Sequence, residues 1–144
     1  MKIREANKED MNKITKIFME EYKKPPYNED WTEEYARKKL EYYFRENNID
    51  VAENENREII GFIISSSYYW YDGLRGNIDE IVVSLKFQGT GIGKKLMEKA
   101  MERLKESGIK KLSLMASKKS KAFEIYKKWG FIDEDFVFMI KNLQ

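Results

Sequence analysis

The apolar and polar positions of the N-terminal third predict a short strand and two helices. "KIREA" is typical of a strand, and the segment after it has an apolar stripe at helical spacing, made of Met11, Ile14, Ile17, Phe18 and Tyr22. We predict that Asn7 caps this helix, with Asp10 in the capping-box position. The prolines of "KKPPYNED" interrupt it. Asp30 and Glu33 have capping-box spacing and predict a second helix in "DWTEEYARKKLEYYF".

The rest of the chain alternates between strands and helices. "IDVAE" and "EIIGFIISSSYYW" predict a hairpin across "NENR", and the β-branched "NIDEIVVSL" predicts another strand. An amphipathic helix follows in "IGKKLMEKAMERLKESG" and ends at Gly108. We then predict a strand in "IKKLSLMAS", a short helix that stops at Gly130, and a last strand in "FVFMIKNL". A strand-helix-strand crossover of this length indicates a parallel pair within a mixed sheet, hence an α/β fold.

Composition narrows the chemistry that is available. A chain of 144 residues with 42% hydrophobic content is the size of one domain, which we expect to span residues 1–144. The 27 basic side chains nearly cancel the 25 acidic ones, so nucleic acid is not an expected partner. Without a membrane-spanning run or a secretory signal, the chain is expected to be soluble and cytoplasmic, with no membrane partner. It has no cysteine or histidine, which excludes thiolate and Ser-His nucleophiles and predicts no metal site.

The glycine-rich hexapeptide "QGTGIG", which begins at Gln88, lies between a predicted strand and a predicted helix. Ligands of open α/β sheets bind there, where helix N-termini present unpaired amides. With Gly89, Gly91 and Gly93 in the turn, the amides as far as about Lys94 can point at one pyrophosphate. The hexapeptide matches neither the dinucleotide-binding pattern G-x-G-x-x-G nor the Walker pattern, which requires Gly-Lys-Ser/Thr. A tight turn without any ligand is the alternative, because glycine is common wherever the backbone is strained.

The pattern Q-x-x-G-x-G within "NIDEIVVSLKFQGTGIGKKLMEKA" resembles the coenzyme-binding segment of the GNAT superfamily N-acetyltransferases. A second family signature, in "KAFEIYKKWGF", and the order of elements along essentially the whole chain also agree. The resemblance implies a central mixed sheet of six to seven strands with helices on both faces, and acetyl-CoA between two parallel strands that splay apart. The coenzyme contacts that it implies are Val82 and Val83 through their main chain, Gln88, Gly89, Thr90, Gly91, Ile92, Gly93, Lys94, Lys119 and Tyr126.

Two of these positions have more than one explanation. Tyr126 matches the tyrosine that many relatives use as general acid toward the coenzyme sulfur, and a phenol with a pKa of about 10 is protonated at neutral pH. Packing is the alternative, since Ala122, Tyr126 and Trp129 share one helical face. Lys119 stands where relatives often have asparagine. It either contacts the phosphates or belongs to a solvated basic turn, and Ser120 beside it is a candidate helix cap.

The candidates for the general base are Asp79 and Glu80. On a regular strand they point to opposite sides, so that only one can face the cleft. Counting back from Gln88 places Asp79 where polyamine N-acetyltransferases carry a glutamate that accepts a proton. Asn77 occupies the position where histone-type relatives have their base. A solvated strand end or an ion pair with a basic side chain is the alternative for both carboxylates.

The resemblance implies that the acceptor lies between "KKPPYNEDW" and "SSSYYWYDGLRG". Tyr27, Trp31 and Tyr69 are the aromatic candidates for its walls, with plain packing as the alternative. We therefore predict an N-acetyltransferase that passes the acetyl group of acetyl-CoA directly to an amine, because no cysteine is present to carry it covalently. The amine is left open between a polyamine, an aminoglycoside-like compound, an amino acid, and a protein N-terminus or lysine. A catalytically inactive acyl-CoA-binding regulatory module is the rival function, and a homodimer is left open.

Overall fold

The computed structural model describes residues 1–144 and contains a five-stranded sheet between two layers of helices. In sheet order the strands are β1 (Lys2–Glu5), β2 (Ile49–Glu53), β3 (Ile59–Trp70), β4 (Gly73–Val83) and β5 (Leu112–Leu114). The helices are α1 (Met11–Lys23), α2 (Glu33–Arg45), α3 (Ile92–Glu106) and α4 (Lys121–Lys128). Strands β1 to β4 are antiparallel, whereas β4 and β5 are parallel because α3 crosses between them. The predicted mixed α/β fold is confirmed.

The helix starts depend on local capping. The main-chain amide of Asn7 donates a hydrogen bond to the Asp10 carboxylate at 2.8 Å, as predicted. The residues after Asn7 form a 3-10 turn before α1 begins. The prediction that Asp30 caps α2 was wrong. Thr32 has the extended backbone of a cap, and its hydroxyl accepts a hydrogen bond from the amide of Tyr35 at 3.1 Å. Ser120 caps α4 as predicted, accepting from the Phe123 amide at 3.2 Å.

Two apolar clusters, one on each face of the sheet, hold the layers together. Helices α1 and α2 bury Ile14, Phe18 and Leu40 against one face. Helix α3 buries Leu96 and Met97 against the other face. Neighbouring residues of β3 alternate between the clusters, because successive side chains of a strand point to opposite faces. No helix in the structure is both long and apolar enough to cross a membrane.

The chain after α4 differs from the prediction. "FVFMIKNL" was predicted to be the last strand, yet residues 132–144 lie outside the sheet and make no hydrogen bond to any other backbone group. The sheet therefore has five strands instead of six to seven, and β5 is the edge strand at the end opposite β1. A strand forms only where it pairs with another strand, and residues 132–144 make no hydrogen bond to the free edge of β5.

Candidate active site

An opening between β4 and β5 lies at the centre of the candidate site. Strand β5 pairs only with Gly76 to Ile78, while β4 continues as far as Val83. From Asp79 onward, β4 is therefore paired on its β3 side alone. Strand β4 thus extends beyond the end of β5, which is compatible with the predicted splay. This extension leaves the main chain around Val82 and Val83 without a neighbouring strand on the β5 side.

The glycine turn lies at the end of β4 and opens α3. The six consecutive amides from Gly89 to Lys94 make no hydrogen bond in the structure. The first turn of α3 also has no side-chain cap and no acidic residue. Free amides and the positive end of the helix dipole thus point the same way, which is the arrangement that binds a phosphate or pyrophosphate.

The three glycines are present for different reasons. Gly89 and Gly91 have φ angles of +78° and +86°, so the turn itself requires them, although an added Cβ would meet no atom within 4 Å. Gly93 has an ordinary helical backbone, and its nearest neighbour would be a Val83 methyl at 3.9 Å. Nothing within the chain therefore requires glycine at position 93, which is consistent with the close approach of a ligand.

Gln88 and Thr90 hold the turn in place. The Gln88 amide nitrogen donates to the Val83 carbonyl at 2.8 Å and to a Glu21 carboxylate oxygen at 2.9 Å. The Thr90 hydroxyl donates to the Phe87 carbonyl at 2.6 Å. Both side chains were predicted to contact the coenzyme, and in the structure both make hydrogen bonds within the protein. Of the other predicted contacts, Ile92 is buried in the second core cluster.

Two further predicted contacts are basic and lie near helix starts. Lys94 is exposed in the first turn of α3. Lys119 is exposed just before α4, and its main-chain amide donates to the Ser117 hydroxyl at 3.2 Å. Neither side chain has an acidic partner among the ion pairs of the structure. Both ammonium groups are thus available to an anion.

A β-bulge decides the directions of the two candidate carboxylates. Ile64 lies opposite Glu80 and Ser65 lies opposite Ile78, so Asp79 is the extra residue of β4. Both Asp79 and Glu80 consequently contact side chains of the α1 and α2 layer. The expectation that they point to opposite sides was wrong, because it assumed regular alternation along the strand.

The Glu80 side chain is largely buried. It is 13% exposed, it accepts a hydrogen bond from the Tyr22 phenol, and Lys39 Nζ lies 3.3 Å from its Oε1. Burial raises the pKa of Glu80, and the hydrogen bond from Tyr22 and the charge of Lys39 oppose that rise without cancelling it. A carboxylate whose pKa lies above its usual range is a stronger proton acceptor than a solvated one.

Asp79 is instead held by neutral donors. It accepts from the Ser66 hydroxyl at 2.5 Å, from the Asn77 amide at 3.0 Å and from the Tyr43 phenol at 3.4 Å. Burial and the adjacent charge of Asp79 raise the pKa of Tyr43 to about 12. The carboxylate of Asp79 is thus engaged by three side chains of the protein.

Tyr126 lies on α4 and packs against the apolar cluster on the sheet face opposite α1. Its ring packs against Trp129 and Phe131, with centroids 5.8 and 5.9 Å away. Burial raises the pKa of Tyr126, and the nearby Tyr27 and Glu80 raise it further. The phenol is therefore protonated at neutral pH, as a proton donor has to be.

The predicted acceptor residues do not all come together. Tyr27 packs against Tyr22 at 4.9 Å, and Trp31 packs edge-on against Phe18 at 4.9 Å. Lys39, the partner of Glu80, lies 5.9 Å from the Trp31 ring. Tyr69 is 81% exposed near the tip of the β3-β4 hairpin, opposite Leu74. Since Leu74 precedes Glu80 by six residues of strand, Tyr69 lies roughly 20 Å from the carboxylate.

Sequence reasoning did not identify Tyr22, Lys39 or Ser66 as part of the site. Tyr22 was assigned only to the packing stripe of α1, and Lys39 is one of many lysines on exposed helix faces. The only signal for Tyr22 was a hydroxyl at the end of an otherwise apolar stripe. No local pattern marks Lys39 of α2 or Ser66 of β3, because their partners, Glu80 and Asp79, lie in β4.

Comparison with known proteins places this geometry in a family. The model of the acetyltransferase (GNAT) family matches residues 12–131, which is most of the chain. The chain belongs to the GNAT acetyltransferase family. This GNAT chain is 34% identical over 112 residues to an uncharacterized N-acetyltransferase of Archaeoglobus fulgidus, with 71% of this chain and 72% of the relative aligned.

Two further relatives have named acceptors. The [ribosomal protein bS18]-alanine N-acetyltransferase of Haemophilus influenzae is 33% identical over 81 residues, covering 56% of this chain and 53% of that one. The crystal structure of the aminoglycoside 6'-N-acetyltransferase AAC(6')-IG from Acinetobacter haemolyticus superposes with a TM-score of 0.80 over 100% of both chains, at 15% identity. The second match shows a shared GNAT fold alone.

Proposed function

We propose that this GNAT chain is an N-acetyltransferase that moves the acetyl group of acetyl-CoA directly to a primary amine. The observation that carries the proposal is the position of Glu80 on β4. That strand has an open edge, it leads into six free amides, and Tyr126 lies close enough for the charge of Glu80 to affect its pKa. One opening thus offers an anion site, a proton acceptor and a proton donor.

The coenzyme is proposed to lie along the splay. Its pyrophosphate is held by the amides from Gly89 to Lys94, with Lys94 and Lys119 supplying positive charge. The unpaired β5 side of Val82 and Val83 provides main-chain groups for the pantetheine arm and the acetyl carbonyl. In this arrangement Gln88 and Thr90 act by fixing the turn through the bonds described above.

The proposed reaction is a direct displacement in a ternary complex. The amine nitrogen attacks the thioester carbonyl carbon, a C–N bond forms, and the C–S bond breaks with its electron pair on sulfur. Glu80 accepts the proton that the amine loses, directly or through a water molecule, because burial raises the pKa of its carboxyl and so strengthens it as a base. Tyr126 donates a proton to the departing thiolate. Asp79 is proposed to hold Asn77 and Ser66 in place beside the bulge.

The acceptor is proposed to enter from the α1-α2 side. Tyr27 and Trp31 line that side, and their aromatic faces next to the Glu80 carboxylate suit a cationic amine. Tyr69 is left out of this pocket because of its distance. The Haemophilus influenzae enzyme is named for an alanine of ribosomal protein bS18, and the Acinetobacter haemolyticus enzyme is named for an aminoglycoside. A polyamine, an aminoglycoside-like amine, and a protein N-terminus or lysine are the candidates.

The test is an amine panel in which release of free thiol from acetyl-CoA is measured. The chain contributes no thiol background because it has no cysteine. Turnover with at least one amine is expected, and Tyr126→Phe should lower kcat by about 100-fold or more. Tyr69→Phe is the matched control and should leave kcat unchanged.

The rival function, a coenzyme-binding module without catalysis, makes a different prediction. Calorimetry would then show binding of coenzyme A while no amine releases thiol. Gly91→Glu introduces a carboxylate among the free amides and should abolish coenzyme binding in either case. Coenzyme affinity that survives Gly91→Glu would overturn the proposed phosphate site.

A further inference from the structure

The C-terminal segment, which we define as residues 132–144, follows α4 and lies outside every helix and strand. Its large apolar side chains are each between 73% and 91% exposed, namely Ile132, Phe136, Val137, Phe138, Met139, Ile140 and Leu143. None of its backbone groups bonds to another backbone group. Soluble monomers rarely expose so large a contiguous apolar surface, which usually marks an interaction site.

The pattern of this segment is that of an interior strand. Five consecutive apolar residues, from Phe136 to Ile140, would place apolar side chains on both faces of a sheet. Strands with that pattern are covered on both faces, and the sheet of this protein has a helical layer on each face. The segment therefore fits a position inside this architecture and not a solvated loop.

The same chain also has an unfilled acceptor for a strand. Strand β5 is the last of the sheet, and the residue after it, Met115, is 77% exposed. Helix α4, which follows β5 in the chain, has no buried residue, and its Ile125 is exposed as well. The outer edge of β5 and the apolar side of α4 thus lack the layer that the other strands and helices have.

We propose that two copies of this chain exchange their C-terminal segments. Residues 136–140 of one copy add as a strand to the outer edge of β5 in the other copy, and the reciprocal addition completes a two-fold dimer. Both surfaces are supplied by one chain, so a self-complementary arrangement satisfies them together. The exchange also protects an edge strand that would otherwise favour aggregation.

A second copy fits better than the segment's own β5. Phe131 packs against Tyr126 of its own chain, and from Ile132 onward the segment is exposed while the edge of its own β5 stays uncovered. The exchange also affects the candidate site, because Leu112 and Leu114 of β5 and Tyr126 of α4 pack against the same apolar cluster. The dimer would thereby support the proposed proton donor.

The first experiment measures mass by light scattering on the full chain. A dimer of twice 17.3 kDa is expected, and Phe138→Asp should convert it to a monomer. Because Phe138 is 73% exposed within one chain, this variant should keep the fold of the monomer, which circular dichroism checks. Tyr69→Asp, at an exposed aromatic residue outside the segment, is the matched control and should stay dimeric.

The second experiment separates exchange from folding back, and the natural absence of cysteine makes it clean. Met115→Cys and Phe138→Cys are made in two chains with different tags, which are co-expressed and oxidised. Exchange predicts a disulfide between Cys at position 115 of one chain and Cys at position 138 of the other, which links the two differently tagged chains. A double variant that carries both substitutions in one chain should form covalent dimers. A monomeric full chain, or a double variant that closes its disulfide within one chain, would overturn the proposal. Neither readout depends on acetyl transfer, so failure here would leave the proposed function untouched.

Discussion

Tyr22, near the end of α1, donates a hydrogen bond from its phenol to the buried carboxylate of Glu80 in β4. The two residues are 58 positions apart in the sequence. This bond counteracts the effect of burial, since burial raises the pKa of Glu80 and the phenol lowers it. The basicity of Glu80 therefore depends on how α1 packs against the sheet.

Replacing Tyr22 with phenylalanine should make Glu80 harder to ionise. The variant removes a donor that favours the carboxylate form, so the pKa of Glu80 rises further. Glu80 is a base only when ionised, so the acid limb of the kcat/KM profile should move to higher pH. Tyr43→Phe, which removes a donor to Asp79, is the control and should leave that limb in place. A shift of the acid limb in Tyr43→Phe but not in Tyr22→Phe would assign the base to Asp79.

Neutralising the two carboxylates one at a time should give unequal losses. Glu80→Gln should lower kcat at neutral pH by about 100-fold or more, because it removes the proposed proton acceptor. Asp79→Asn should cost less than about tenfold, since its role is to hold neighbouring side chains. Thiol-release kinetics on both variants measure the ratio. Equal losses, or a larger loss for Asp79→Asn, would reject the assignment.

Gly93→Ala should separate ligand binding from folding. An alanine Cβ would only touch a Val83 methyl at 3.9 Å, and alanine is a better helix former, so stability should be unchanged or higher by up to about 1 kcal/mol. Coenzyme affinity should nevertheless fall about tenfold, a loss of about 1.4 kcal/mol. Gly91→Ala, at a φ of +86°, should lose stability instead. Calorimetry and thermal unfolding give the two readouts, and unchanged affinity in Gly93→Ala would refute the close approach.

Gly61→Ala should destabilise the sheet beside the splay. An added Cβ would lie 2.9 Å from the Val82 carbonyl oxygen, a contact with backbone that cannot rotate away. We expect a loss of about 1–3 kcal/mol in the free energy of unfolding, measured by denaturant titration. Ser67→Ala, at an exposed position of the same strand, is the control and should be neutral. A fully stable Gly61→Ala would mean that β3 and β4 can separate without cost.

Much of the candidate site could be predicted, because its parts are local. The stripe of α1, the helix after the glycine turn and the Ser120 cap each depend on residues within one or two turns of one another. The amides that follow Gln88 are free because no acceptor precedes them in the helix, which follows from where α3 begins. The predicted Asp30 cap failed on an equally local choice, since Thr32 also has a capping side chain.

The sequence by itself thus determined the helices, most strands, the glycine turn and the residue types from which the chemistry must be built. Only the tertiary structure decided that a bulge turns Asp79 and Glu80 to the same side, and that Tyr22 and Lys39 surround Glu80. Only it decided that the last apolar stretch pairs with no strand of its own chain. Periodicity reports what each segment can bury, whereas strand register and side-chain partners depend on segments far away in the sequence.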